Sequence, residues 1–121
     1  MYTEGRNEMR PQPIPKTITL DLKSTEYLRV LAGPPESVTM RSGFVVLLPS
    51  NSVGKHSTDS YEEILVVLEG EGEMLLNDGS ALLLKQYVVA YCPPKTEHDV
   101  RNCGDKPLRY LYIVARALNP S

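Results

Sequence analysis

The chain has 121 residues, enough for one domain with a sizeable core but not for separate catalytic and cofactor domains, so a single site must carry its chemistry. Lys and Arg number 13 against 15 Asp and Glu, a formal net charge of -2, and no basic cluster stands out, which argues against a nucleic-acid partner. The longest apolar run, Ile64 to Leu68, is strand-sized and far short of the roughly 20 residues of a membrane helix, so no membrane partner is expected either.

The opening stretch, residues 1–16, has no apolar core and no small-residue cleavage pattern, and a cytoplasmic location is expected. Prolines at 11, 13 and 15 keep it from forming a helix, and it is expected to be an arm, mobile or laid across a neighbouring subunit. The barrel domain is placed at residues 17–116, with 117–121 as a tail. Thr17 to Leu22 alternates with period two and predicts a first strand, and Glu26 to Leu31 predicts a second. Ser37 to Leu48 reads as a longer strand, ending in Phe44 to Leu48 with both faces apolar and therefore both covered. Pro49 to Gly54 is loop. Glu62 to Leu68 is again strand, Gly70 and Gly72 bound a turn, and Glu73 to Leu76 pairs with Ala81 to Leu84 across Asn77-Asp78-Gly79. Tyr87 to Cys92, His98 to Asn102 and Leu108 to Ala115 complete a pattern of about nine or ten short strands with regular turn signals. That is an all-β sandwich or barrel.

Two cysteines, Cys92 and Cys103, would lie near opposite ends of a hairpin, roughly 15 Å apart along the strands. A bridge needs Cα atoms within about 7 Å, so both are read as reduced thiols without a chemical role.

The chemistry-bearing residues gather between Ser52 and Gly72, and one more follows at His98. Glu63 is in phase with Leu65 and Val67, whereas Glu62 is in phase with Ile64 and Val66, so one glutamate faces inward and the other outward. An inward carboxylate without a cation is costly and calls for a partner. His98 is in phase with Val100, so it points inward, as a ligand or as a buried histidine satisfied by a hydrogen bond. His56 sits in a polar loop where an exposed surface histidine is the plain alternative.

The run Gly54-Lys55-His56-Ser57-Thr58-Asp59-Ser60-Tyr61-Glu62-Glu63, followed by six residues and Gly70, resembles the first motif of the cupin superfamily: H-x-H, three or four residues, E, six residues, G. Tyr87 to Asn102, with Pro93, Lys95 and His98 between, is similar in spacing to the second: G, five residues, P-x-G, two residues, H, three residues, N. The resemblance implies a small single-domain cupin of the conserved-barrel type, a double-stranded β-helix or jelly-roll barrel, with a ligand entering the barrel mouth. It also implies a metal set of His56, Glu63 and His98, with Glu62 as fallback for the carboxylate. Thr58 stands where the family has its other histidine, and Tyr87 and Lys95 replace the two glycines of the second motif. Thr58 itself, a poor neutral ligand, and Asp59 and Tyr61 close to it are candidate auxiliary ligands.

Two imidazoles and one carboxylate suit Fe, Mn, Ni or Zn with positions left open. The leading expectation is therefore a small-molecule-binding cupin with a divalent-metal site, able to act as a metal-dependent dioxygenase, isomerase or cyclase on an oxygen-bearing substrate. The alternative is a metal-free metabolite-binding or sensing cupin in which His56, Thr58 and His98 only donate and accept hydrogen bonds. A purely structural domain would leave two histidines and a glutamate in one lumen without a use. Tyr61, Tyr91, Tyr110 and Tyr112 are candidates for the pocket mouth or for the core. Apolar outer faces, and the dimers that small cupins form, lead to a homodimer as the expected state.

Overall fold

The computed structural model describes residues 12–118. Nine strands occur among them: β1 (Leu28–Leu31), β2 (Arg41–Leu47), β3 (His56–Ser57), β4 (Tyr61–Glu69), β5 (Glu71–Leu76), β6 (Ala81–Lys85), β7 (Val89–Cys92), β8 (Glu97–Asn102) and β9 (Leu108–Arg116). They form two antiparallel sheets, one in the order β1-β2-β9-β4-β7 and one in the order β3-β8-β5-β6. Apolar residues on the facing sides of these sheets, among them Leu65, Val67, Met74, Leu84, Val100 and Leu108, pack into one core between them. Period-two alternation explains which residues these are: Glu63, Leu65 and Val67 of β4 are buried while Ile64 is exposed.

Gly70 turns β4 into β5 at φ +91°, and a Cβ there would collide with the Pro107 carbonyl and the backbone of Leu108. Only glycine satisfies both conditions. At the β5–β6 hairpin Gly79 alone takes positive φ, while Asp78 accepts hydrogen bonds from the Ser80 amide and hydroxyl.

The structure departs from the sequence expectations at several places. Thr17 to Leu22 forms no strand; Ile18 and Leu20 instead line a small groove with Val30, Leu31 and Leu111. Alternation orients side chains but cannot supply a sheet edge to pair with. The strand expected from Ser37 begins only at Arg41, because Gly33 to Met40 is a loop held by side chains: Glu36 accepts the Ala32 amide at 2.6 Å and the Lys16 ammonium at 2.7 Å, and Ser37 Oγ donates to the Met40 carbonyl. The segment expected from Glu26 is shortened to β1, and that expected from Tyr87 to β7. β3 was not expected as a strand, and its two residues pair with β8. Residues 1–11 of the arm and 119–121 of the tail lie outside the described residues.

Candidate metal centre

β3 and β8 pair so that His56 and His98 are register partners, which sets their rings side by side with centroids 4.4 Å apart. Glu63 comes from β4 in the opposite sheet and points into the same lumen. One donor atom from each of the three residues lies within 4.8 Å of the others. The expected set is thus brought together across the two sheets, and Glu62 points away, accepting a hydrogen bond from the Tyr91 hydroxyl on the outer face at 2.8 Å.

Each imidazole is oriented by its Nδ1. That of His56 lies 2.8 Å from the Gly54 carbonyl and that of His98 lies 3.1 Å from the Thr96 carbonyl, so both are Nδ1–H donors, and in the neutral ring each Nε2 is the nitrogen with the lone pair. Backbone carbonyls of this kind set the tautomer of histidines that ligate metals. His98 is almost wholly buried, and its Nε2 sits 3.1 Å from Glu63 Oε1. Protonated, the imidazole would pair there with the carboxylate, and among the described residues Nε2 faces no other partner. The nearby Glu63 carboxylate raises the His98 pKa above the ordinary imidazole value; burial acts the other way. A buried imidazole nitrogen and a buried carboxylate oxygen that face each other, with no further partner for the nitrogen among the described residues, suit a shared cation, a proton or a metal ion.

The residues around the triad have separate tasks. Thr58 does not turn its hydroxyl to the triad: Oγ1 donates to the Pro93 carbonyl at 2.6 Å and accepts the Thr96 amide at 3.1 Å, clamping the β3–β4 loop to the β7–β8 turn. Asp59 is exposed at φ +52°, and its carbonyl accepts the Lys95 amide at 2.8 Å. Tyr61 receives Nη1 of Arg41 at 3.2 Å. Cys92 is buried with Sγ 3.5 Å from His98 Nδ1, and burial, then Glu63, pushes its thiol pKa up; Cys103 is exposed. Both glycine replacements in the second motif carry positive φ, +71° at Tyr87 and +57° at Lys95, conformations that cost a side-chain-bearing residue roughly 1–2 kcal/mol.

The triad opens into a cavity of about 720 Å³ between the sheets. Tyr61, Tyr110 and Tyr112 line it, whereas Tyr91 stands outside. Burial raises the pKa of Tyr110 and Tyr112 well above the usual phenol value, so both stay protonated donors. Arg41 and Tyr27 also line the cavity and belong to neither motif. The available signal was phase: Arg41 alternates with Gly43 and Val45 on one face of β2.

A family model described as "Cupin domain" matches residues 43–114. The chain belongs to the cupin family. An uncharacterized protein of Methanocaldococcus jannaschii is 44% identical to this cupin over 57 residues, 47% of this chain and 43% of that protein, so the match spans less than half of the curated relative. Among solved structures, a Cupin 2 conserved barrel domain protein from Salinispora arenicola superposes with a TM-score of 0.69 at 21% identity, over 86% of this chain and 91% of that one. An RmlC-like cupin family protein with a double-stranded β-helix fold from Methanocaldococcus jannaschii gives 0.70 at 18% identity, over 85% and 92%. At such identities the likeness is one of fold, and the cupin's chemistry rests on its own residues. Among the described residues no helix is long and apolar enough to cross a membrane.

Proposed function

We propose that this cupin holds a divalent metal ion on His56, Glu63 and His98 and binds a small oxygen-bearing molecule in the adjoining cavity. One observation carries the reading: three donor atoms converge within 4.8 Å, one of them a buried imidazole nitrogen that faces no described partner but the Glu63 carboxylate at 3.1 Å. Two imidazoles and a carboxylate suit Fe, Mn, Ni or Zn. When bound, such an ion would polarise a substrate oxygen or activate dioxygen. The chain's own residues supply the rest. The Gly54 and Thr96 carbonyls hold the imidazoles in one tautomer, Tyr110 and Tyr112 offer protonated hydroxyls, and Val45, Val53, Val100 and Val114 keep part of the lining dry. Dioxygenase, isomerase and cyclase chemistries all fit this arrangement. A cytoplasmic location belongs to the same reading, and an exposed, unbridged Cys103 fits a reducing compartment.

Elemental analysis of the purified protein beside a Glu63→Gln variant tests the site. The expected result is near-stoichiometric Fe, Mn, Ni or Zn in the parent and affinity lowered at least roughly ten-fold in the variant. Absence of metal from the parent even after incubation with each ion, or equal occupancy in the variant, would overturn it. A second reading, a metal-free metabolite-binding cupin, is favoured by one observation: the Thr58 hydroxyl is spent on a structural clamp and leaves three donors where the family has four. Absence of metal together with a bound metabolite in mass spectra would select it.

A further inference from the structure

The strand registers put Arg41 beside Val114 and Val114 beside Glu63, so the three residues form one rung across β2, β9 and β4. All three line the same cavity. Strands lie roughly 4.8 Å apart, so Arg41 and Glu63 are attached roughly 10 Å from each other with Val114 as the floor between them. The guanidinium is set in place from two sides. It lies over the Tyr61 ring, 5.3 Å from the centroid, with Nη1 donating to the Tyr61 hydroxyl. Its Nε passes so close to Gly33 that a Cβ there would stand 2.8 Å away. Among the described residues no carboxylate lies within ion-pair distance of Arg41, although Arg101 and Arg109 each have one. Across the lining, Tyr27 and Tyr112 share one hydrogen bond, hydroxyl to hydroxyl at 2.6 Å, and two hydroxyls joined by one bond keep one hydrogen to give.

We infer that Arg41 is an anion-binding residue of this cavity, and that its ligand is a small molecule with an anionic oxyacid group at one end and an oxygen donor at the other. The anionic end pairs with the Arg41 fork, and the far oxygen reaches the triad across the Val114 floor. The inference rests on the reading of His56, Glu63 and His98 as metal-holding residues. Charge supports it. With neutral imidazoles the lining carries Arg41 against Asp59 and Glu63, a formal charge of -1, which a divalent ion turns to +1. Metal and anion should therefore assist each other. An unpaired guanidinium beside aromatic hydroxyls is suited to a planar carboxylate or to a phosphate, and the two are separated by test.

Succinate, glutarate and adipate, their monomethyl esters and the corresponding phosphonocarboxylates would be titrated calorimetrically into metal-loaded and chelator-treated protein. The parent, Arg41→Leu and Arg41→Lys would be compared, with metal content and thermal melting recorded for each. A doubly anionic probe is expected to bind the parent roughly ten- to hundred-fold tighter than its monoester, with Arg41→Leu removing the preference and Arg41→Lys restoring part of it at unchanged metal content. Whichever of carboxylate and phosphonate binds tighter names the anion. A preference that survives in Arg41→Leu, or no preference in the parent, overturns the inference. If Arg41→Leu fails to fold, Arg41→Lys alone decides, by whether the preference narrows. Parent protein that takes up no metal overturns the metal reading instead, and an Arg41-dependent preference in that protein would still uphold the anion site.

Discussion

Thr58 shows how a single replacement in a metal motif can take on structural work. Its hydroxyl is tied to the Pro93 carbonyl and the Thr96 amide, and the residue is 8% exposed, so the hydroxyl itself is shielded from water. Thr58→Val keeps the shape and removes both bonds, and should lower stability by about 1–3 kcal/mol in urea unfolding while leaving metal content unchanged. A loss of metal affinity with unchanged stability would instead make Thr58 a ligand. Asn102, the last residue of the second motif, does comparable work: Nδ2 donates to the Leu47 and Lys106 carbonyls, and Oδ1 accepts the Gly104 amide. That Thr58 departs from the motif was legible in the sequence. What its hydroxyl does was not, because its partners are 35 and 38 residues away and only the fold brings them near.

At the scale of elements, alternation gave the direction in which two candidate side chains point. Glu63 and His98 point inward because each is in phase with apolar residues of its own strand, and phase is local. Alternation failed at Thr17 to Leu22, which forms no strand. Lys16 and Glu36 tie this region to the loop before β2. The sign of the pH dependence follows from Glu36, whose pKa is lowered from 4.5, first by the Lys16 hydrogen bond and then by the Ala32 amide. A carboxyl whose folded pKa is depressed stabilises the contact above its unfolded value and loses that contribution as pH falls through the folded one. The Ala32 amide resonance should therefore titrate with a midpoint below 4.5. A midpoint at or above that value would mean that the contact does not persist in solution. The tie also bears on the cavity, since the same loop carries Gly33, over which Arg41 lies.

At the scale of the molecule, the two faces of the larger sheet differ in cover. On β2, Gly43 and Val45 face the lumen, so Phe44 points outward, yet it is only 1% exposed. The groove of Lys16, Ile18 and Leu20 against Leu111 lies on this outer side, so the chain's own N-terminal segment covers part of a face for which the sequence points to a second subunit. Among the described residues nothing covers the other end of that face: Ile64, Val89 and Tyr91 on β4 and the edge strand β7 are 39%, 60% and 52% exposed. We propose a second copy of the chain as its partner, giving a homodimer with β4 and β7 at its centre. Light scattering at micromolar concentration should report a dimer that Val89→Asp with Ile64→Glu turns into a monomer. A monomeric parent protein would refute this.

The sequence by itself determined the all-β class, most strand positions, the motif spacing and the inward phase of Glu63 and His98, because alternation, turn residues and spacing are properties of neighbours along the chain. Only the tertiary structure decided that His56 and His98 are register partners facing Glu63, that Thr58 is a clamp, and that Arg41 shares a rung with Glu63 through Val114. Each of these depends on pairing between strands distant in sequence. Pairing of that kind is selected by burial of the whole core, which no local pattern contains.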